Sequence, residues 1–174
     1  MKEITGTQTE KNLKEAFIAE ATSIVKYFMF ANESEYELVE EKFKKIANNE
    51  MEHAEIFFKF LGGIGNDLDN LRNSIALEGF VSTVDYPEAA RIADTEGFPE
   101  IAQKFRDIST IEERHKKEFE KLHSEIKNNT LLKSTKEQNW ICLKCGHIAD
   151  GLEPPEECPV CGHKRHDFKL YKEE

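Results

Sequence analysis

A carboxylate and an imidazole three residues apart occur twice in this chain, as Glu50-Met51-Glu52-His53 and as Glu112-Glu113-Arg114-His115. On an α-helix that spacing aims both side chains to the same side, so each pair is suited to holding one metal ion. The surroundings match as well. Ile46, Glu50, His53 and Phe57 in the first copy parallel Ile108, Glu112, His115 and Phe119 in the second, which marks an internal repeat.

Each copy follows another helix-like segment with one acid on its apolar stripe. These are Glu20, between Phe17 and Ile24, and Glu78, between Ile75 and Ser82. One Glu from each of two helices and a Glu-x-x-His from each of two others is the ligand set of a carboxylate-bridged di-metal centre in a four-helix bundle. With 34 acidic residues a single Glu-x-x-His is expected by chance on a solvated helix face. Two copies in equivalent frames, each with a partner acid among apolar neighbours, favour the metal. Four buried carboxylates without counter-charge are prohibitively costly, and two divalent cations neutralise them.

The hydrophobic period predicts four helices. The first covers about 8–31. The second starts near 35 through a capping box formed by Ser34 and Glu37, and it ends at Gly62-Gly63. The third begins near Asp69, passes Pro87 with a kink and closes at Gly97. Pro99 opens the fourth, which runs through Ile126. Residues 1–7 read as a frayed start. Phe17, Phe28, Phe43, Phe57 and Phe119 read as core, and the lysine runs near 42–45 and 116–121 as solvated faces. The expected division is a helical bundle over 1–132, a polar linker over 133–138 and a loop-rich module over 139–174.

The connection between the second and third helices is short for a ferritin-like crossover. Residues 62–68 span at most about 25 Å, whereas a helix over 35–61 is about 40 Å long. Two arrangements answer this: a domain-swapped dimer, or a simple antiparallel up-down order. The expectation is the swap.

All four cysteines lie in the last module, as Cys142-Leu-Lys-Cys145-Gly and Cys158-Pro-Val-Cys161-Gly. Two such knuckles complete a tetrahedral four-thiolate cage, and a chain without an export signal favours metal over disulfides. Spacing alone puts structural zinc ahead of iron. His147, His163 and His166 are close by and read as surface residues. The net charge of −10 argues against nucleic acid and anionic membranes as partners. No apolar run approaches the length of a membrane span, and the expected location is the cytoplasm.

Assembled, the chain resembles the rubrerythrin family, iron proteins in which a ferritin-like di-iron bundle precedes a rubredoxin-like domain. The doubled Glu-x-x-His, the stretch Glu78 to Tyr86-Pro87, Glu96-Gly97-Phe98 and the run from Trp140 to Phe168 carry the resemblance. It implies iron ligation by Glu20, Glu50, His53, Glu78, Glu112 and His115, with Glu50 and Glu112 bridging and Glu20 and Glu78 terminal. It also implies a mononuclear iron on Cys142, Cys145, Cys158 and Cys161, reversing the preference for zinc. Tyr27 and Tyr86 match tyrosines beside the di-iron centre, where Tyr27, two turns from Glu20, is placed to reach a ligand carboxylate.

The implied activity is two-electron reduction of hydrogen peroxide to water. Electrons would come through the cysteine-bound iron from a soluble NAD(P)H-dependent reductase. One departure is Val81, where the family carries a further Glu that lets an iron move away from the histidine here numbered His53. With valine there, His53 is expected to keep its ion in both oxidation states. The rival functions are oxygen-dependent ferrous oxidation, which Val81 favours, and a non-catalytic scaffold with zinc on the cysteines.

Overall fold

The computed structural model describes residues 3–172, so the expectation of a frayed start falls in part on residues outside the described ones. The chain divides into two compact units, Met1–Gly65 and Asn66–Glu174.

The first unit is a helix pair, α1 (Gln8–Asn32) and α2 (Glu37–Phe60). Thr7 caps α1 by accepting the Glu10 N–H at 3.2 Å, and the Glu10 carboxylate turns back to the Gly6 N–H at 2.6 Å. The chain therefore does use a capping pair, but at Thr7 and Glu10. The pair expected at Ser34 and Glu37 does not form. Ser34 Oγ donates to Phe30 O at 2.9 Å, and Tyr36 starts α2 without a side-chain bond. In so short a connection Ser34 belongs to the end of α1, where the last carbonyls need donors.

Ile24, Ala31, Ala47 and Ala54 are buried between the two helices. Small side chains at the crossing let the backbones approach, and aromatic rings fill the flanks. Phe17 stacks on Phe58 with centroids 4.7 Å apart, and Phe43 packs against Tyr27 at 5.9 Å and Phe30 at 5.5 Å. At the end of α2 the Gly62 N–H bonds to Lys59 O and the Gly63 N–H to Phe58 O, closing the last turn with Gly62 at φ 68°.

The second unit holds α3 (Asp67–Phe80), a π-turn (Val81–Asp85), α4 (Tyr86–Thr95) and α5 (Pro99–Lys127). Asn66 caps α3 through the Asp69 N–H at 3.0 Å, so this helix begins slightly earlier than Asp69. The irregularity expected at Pro87 takes the form of the wider π-turn immediately before it. Gly97 turns the chain with φ 85°, and Pro99 opens α5. Ala90, Ala93 and Ala102 are buried with Phe105 against them, so alanines again set the crossing.

A small antiparallel sheet follows, in the order β2 (Ile148–Gly151), β1 (Gln138–Cys142), β3 (Phe168–Leu170). Trp140, Cys142, Cys158 and Phe168 form its core, and Trp140 Nε1 donates to Gly151 O at 3.0 Å.

The helices keep much apolar surface in solvent, including Ile18, Val25 and Met29 on α1, Leu38 and Met51 on α2, and Ile101 and Ile111 on α5. Phe28, read as core, is among the exposed residues; Phe17, Phe43, Phe57 and Phe119 are half-buried. No helix among the described residues is long and apolar enough to cross a membrane.

Candidate metal centres

Each helical unit carries one three-residue cluster built to the same plan. In the first, α1 brings Glu20 and α2 brings Glu50 and His53, with one donor atom from each within 4.8 Å of the others. His53 Nδ1 lies 2.8 Å from Glu50 Oε2 and 3.8 Å from Glu20 Oε1. In the second, α3 brings Glu78 and α5 brings Glu112 and His115, again within 4.8 Å. His115 Nδ1 lies 2.7 Å from Glu112 Oε2. The local cause is the one read from the sequence: three residues along a helix return a side chain to nearly the same azimuth.

The electrostatics of the second cluster show what it needs. Burial, then the hydrogen bond and negative charge of Glu112, push the Glu78 carboxyl above its ordinary range, with His115 pulling the other way. Two carboxylates held this close resist joint ionisation, and a cation removes that resistance. Carboxylate oxygens with one imidazole suit a hard to borderline divalent ion such as ferrous iron.

Tyr27 and Tyr86 occupy matching places. Tyr27 packs on Phe43 and Tyr86 on Phe105, with centroids 5.5 Å apart in the second pair. Val81 is the first residue of the π-turn, one turn beyond Glu78, and is half-buried. The sequence reading did not find the polar contacts around this turn. Ser82 Oγ donates to Glu78 O at 2.6 Å, and Ser109 Oγ donates to Ser82 O at 2.7 Å. The signal was there in the spacing: Glu78 to Tyr86 is one residue longer than Glu20 to Tyr27.

The four cysteines converge with Sγ atoms within 4.8 Å of one another. Cys142 Sγ is 3.7 Å from Cys161 Sγ, and Cys145 Sγ is 3.6 Å from Cys158 Sγ. A tetrahedral ion with metal–sulfur bonds of about 2.3 Å sets its sulfurs about 3.8 Å apart, so the cage fits. The two knuckles repeat the same bonds. Gly146 N–H donates to Cys142 O and Gly162 N–H to Cys158 O, both at 2.9 Å, with φ 78° and 73° at the glycines.

Main-chain N–H groups also face the sulfurs. Burial pushes the Cys158 thiol up, but the N–H groups of Cys161 and Val160 outweigh it and hold the group at about 7. Cys161 accepts the His163 N–H, which favours its thiolate, yet burial and three neighbouring sulfurs push it up to about 12. Four thiols this crowded share protons unequally, and a bound cation takes the place of those protons.

The family model described as "Rubrerythrin" matches residues 11–84 and 69–144, and "Rubrerythrin, rubredoxin-like domain" matches residues 140–169. Rubrerythrin of Porphyromonas gingivalis is 34% identical, covering 98% of this chain and 94% of that protein. Rubrerythrin of Nitratidesulfovibrio vulgaris is also 34% identical, covering 98% and 97%. The solved structure "Partially Reduced State of Nigerythrin" is 25% identical, covers 98% of this chain and 89% of that one, and has a TM-score of 0.36. The fold class is the expected one, a mainly helical ferritin-like region followed by a small rubredoxin-like domain. The cofactors are a di-iron centre and a mononuclear iron on four cysteines, and the donor clusters fit both. The chain belongs to the rubrerythrin family, di-iron oxidoreductases of oxidative-stress defence that carry a rubredoxin-like iron domain.

Proposed function

We propose that the chain is a non-haem di-iron peroxidase that reduces hydrogen peroxide to two waters, taking up two electrons and two protons. The observation that carries this is the pair of equivalent clusters, each offering two carboxylates and an imidazole, in a chain that also carries a four-thiolate cage. The proposed ligands are Glu20, Glu50, His53, Glu78, Glu112 and His115, and for the single iron Cys142, Cys145, Cys158 and Cys161. When bound, the two ferrous ions supply one electron each to the peroxide bond.

The protein's part is geometric. Glu50 with His53 and Glu112 with His115, each pair fixed by helical spacing, would hold the two ions, with Glu50 and Glu112 as the shared carboxylates and Glu20 and Glu78 as the terminal ones. Tyr27 and Tyr86, packed on Phe43 and Phe105, would orient the terminal carboxylates through their hydroxyls. The rubredoxin-like domain returns electrons one at a time, and a soluble NAD(P)H-dependent reductase reloads it. The functional division is that of composition, with the bundle over 1–132, the linker over 133–138 and the iron module over 139–174. The cytoplasm suits its charge of −10.

The working state is a domain-swapped homodimer. A ferritin-like bundle needs α2 and α3 to run the same way, joined by a long crossover. From Glu50 to the end of α2 is about 15 Å, and from the start of α3 to Glu78 is about 17 Å, so the crossover must climb roughly 32 Å. Leu61–Asn66 reaches at most about 25 Å when fully extended. Its first residues are coiled into the α2 cap, which shortens it further. The apolar residues left in solvent on each helix pair supply a surface for the partner chain to cover.

A second reading, oxygen-dependent ferrous oxidation, is favoured by Val81, an apolar side chain one turn beyond Glu78. The deciding experiment reduces the protein without oxygen and compares the rates of reoxidation by hydrogen peroxide and by dioxygen. Faster reaction with peroxide is expected; faster reaction with dioxygen would overturn the peroxidase in favour of the oxidase. Because valine offers no ligand, His53 keeps its ion in both states. Crystals of the oxidised and reduced protein check this, and an ion displaced from His53 would contradict it.

A further inference from the structure

The two halves of the repeat differ in length by one residue, and the difference falls beside the second cluster. Glu20 and Tyr27 stand seven residues apart, Glu78 and Tyr86 eight. The added residue is absorbed in the π-turn, where the Tyr86 N–H bonds to Val81 O. An α-helix would direct that bond to Ser82 O. In the wider register Ser82 O would look to the N–H of residue 87, which is proline and has none.

Ser82 is buried, and a buried carbonyl without a donor is costly. Ser109 on α5 supplies the donor: its Oγ lies 2.7 Å from Ser82 O. Ser82 Oγ in turn donates to Glu78 O at 2.6 Å. Two hydroxyls thus link α5, one turn before Glu112, to the backbone that carries Glu78. The first half has nothing equivalent, since the matching positions are Ile24 and Ala47, both apolar and buried.

We infer that Ser109 is a positioning residue for the metal centre, fixing Glu78 against Glu112 and His115 through the carbonyl and hydroxyl of Ser82. The inference rests on the reading of those three residues as ligands. It makes the two metal positions inequivalent: the second is held by a hydrogen-bonded strut, the first by packing alone.

The test uses the full chain loaded with ferrous iron and fully reduced, read by iron Mössbauer spectroscopy and by ferrous titration. Ser109→Val and Ser109→Thr share a shape and differ in the hydroxyl. With Val, and with Ser109→Ala, one of the two carboxylate-bound irons should change its quadrupole splitting and bind about tenfold more weakly. The other should change less. Thr should restore the native spectrum. Thr110→Ala, which removes a hydroxyl bonded within its own helix to Arg106 O at 3.2 Å, should change neither iron. Identical behaviour of the Val and Thr variants, or an equal change at both irons, would overturn the strut. A native protein with no pair of carboxylate-bound irons would overturn the ligand reading with it. A native pair indifferent to Ser109 would overturn the strut alone.

Discussion

Burial and the charge of Glu112 make the Glu78 carboxyl hold its proton more tightly in the folded, metal-free protein than in the unfolded chain. A raised carboxyl favours the folded state below the ordinary carboxylate range, and that contribution is lost as pH rises through the raised value. Metal-free protein should therefore lose urea resistance as pH rises above the ordinary carboxylate range, and Glu78→Gln should shrink that loss. Added ferrous iron should reverse it, because the cation stabilises the ionised pair. An unchanged pH dependence in the Gln variant would show that Glu78 is not the group responsible. The clustering of these acids and histidines was legible because Glu-x-x-His spacing is itself a statement about one helix face. Ser109 was not, since a lone serine on a helix carries no signal until the carbonyl it serves is known.

At the scale of elements, helix ends are where sequence and structure part. Ser34 and Glu37 had the right spacing for a cap, yet the hydroxyl was claimed by the helix behind it, at Phe30 O. The π-turn was hidden for a related reason: a register one residue wider leaves no mark on hydrophobic period, and Pro87 announced only that something must give. The end of α2, by contrast, was written in Gly62-Gly63, and the two glycines do different work. Gly62 has φ 68° with open space around it, whereas a Cβ on Gly63 would run into the Phe58 ring. Phe58 is stacked on Phe17, so it cannot yield without unpacking the pair. Gly63→Ala should cost about 1–3 kcal/mol, more than the roughly 1 kcal/mol of Gly62→Ala, as measured by chemical denaturation. The reverse order would contradict this reading of the cap.

Across the chain, the helical segments and the cysteine module could be read directly, because period and Cys-x-x-Cys spacing are local, although the π-turn divides the third segment into α3 and α4. The partner chain could be argued only from reach, and the exposed apolar faces now add weight to it. Mixed dimers test the swap. One chain carries Glu20→Ala with His53→Ala, the other Glu112→Ala with His115→Ala. If each centre draws on two chains, unfolding and refolding the two together should restore one intact centre per mixed dimer, although neither variant has one alone. No recovery on mixing would place both clusters of a centre in the same chain.

The proposed di-iron centre requires the two clusters to share bridging carboxylates. Iron counted in the variant carrying only Glu20→Ala and His53→Ala tests it most directly. A shared centre predicts that both helical irons are lost or bound at least a hundredfold more weakly, roughly 2.7 kcal/mol, while the cysteine-bound iron stays. One helical iron kept at native affinity would show two independent sites and contradict it.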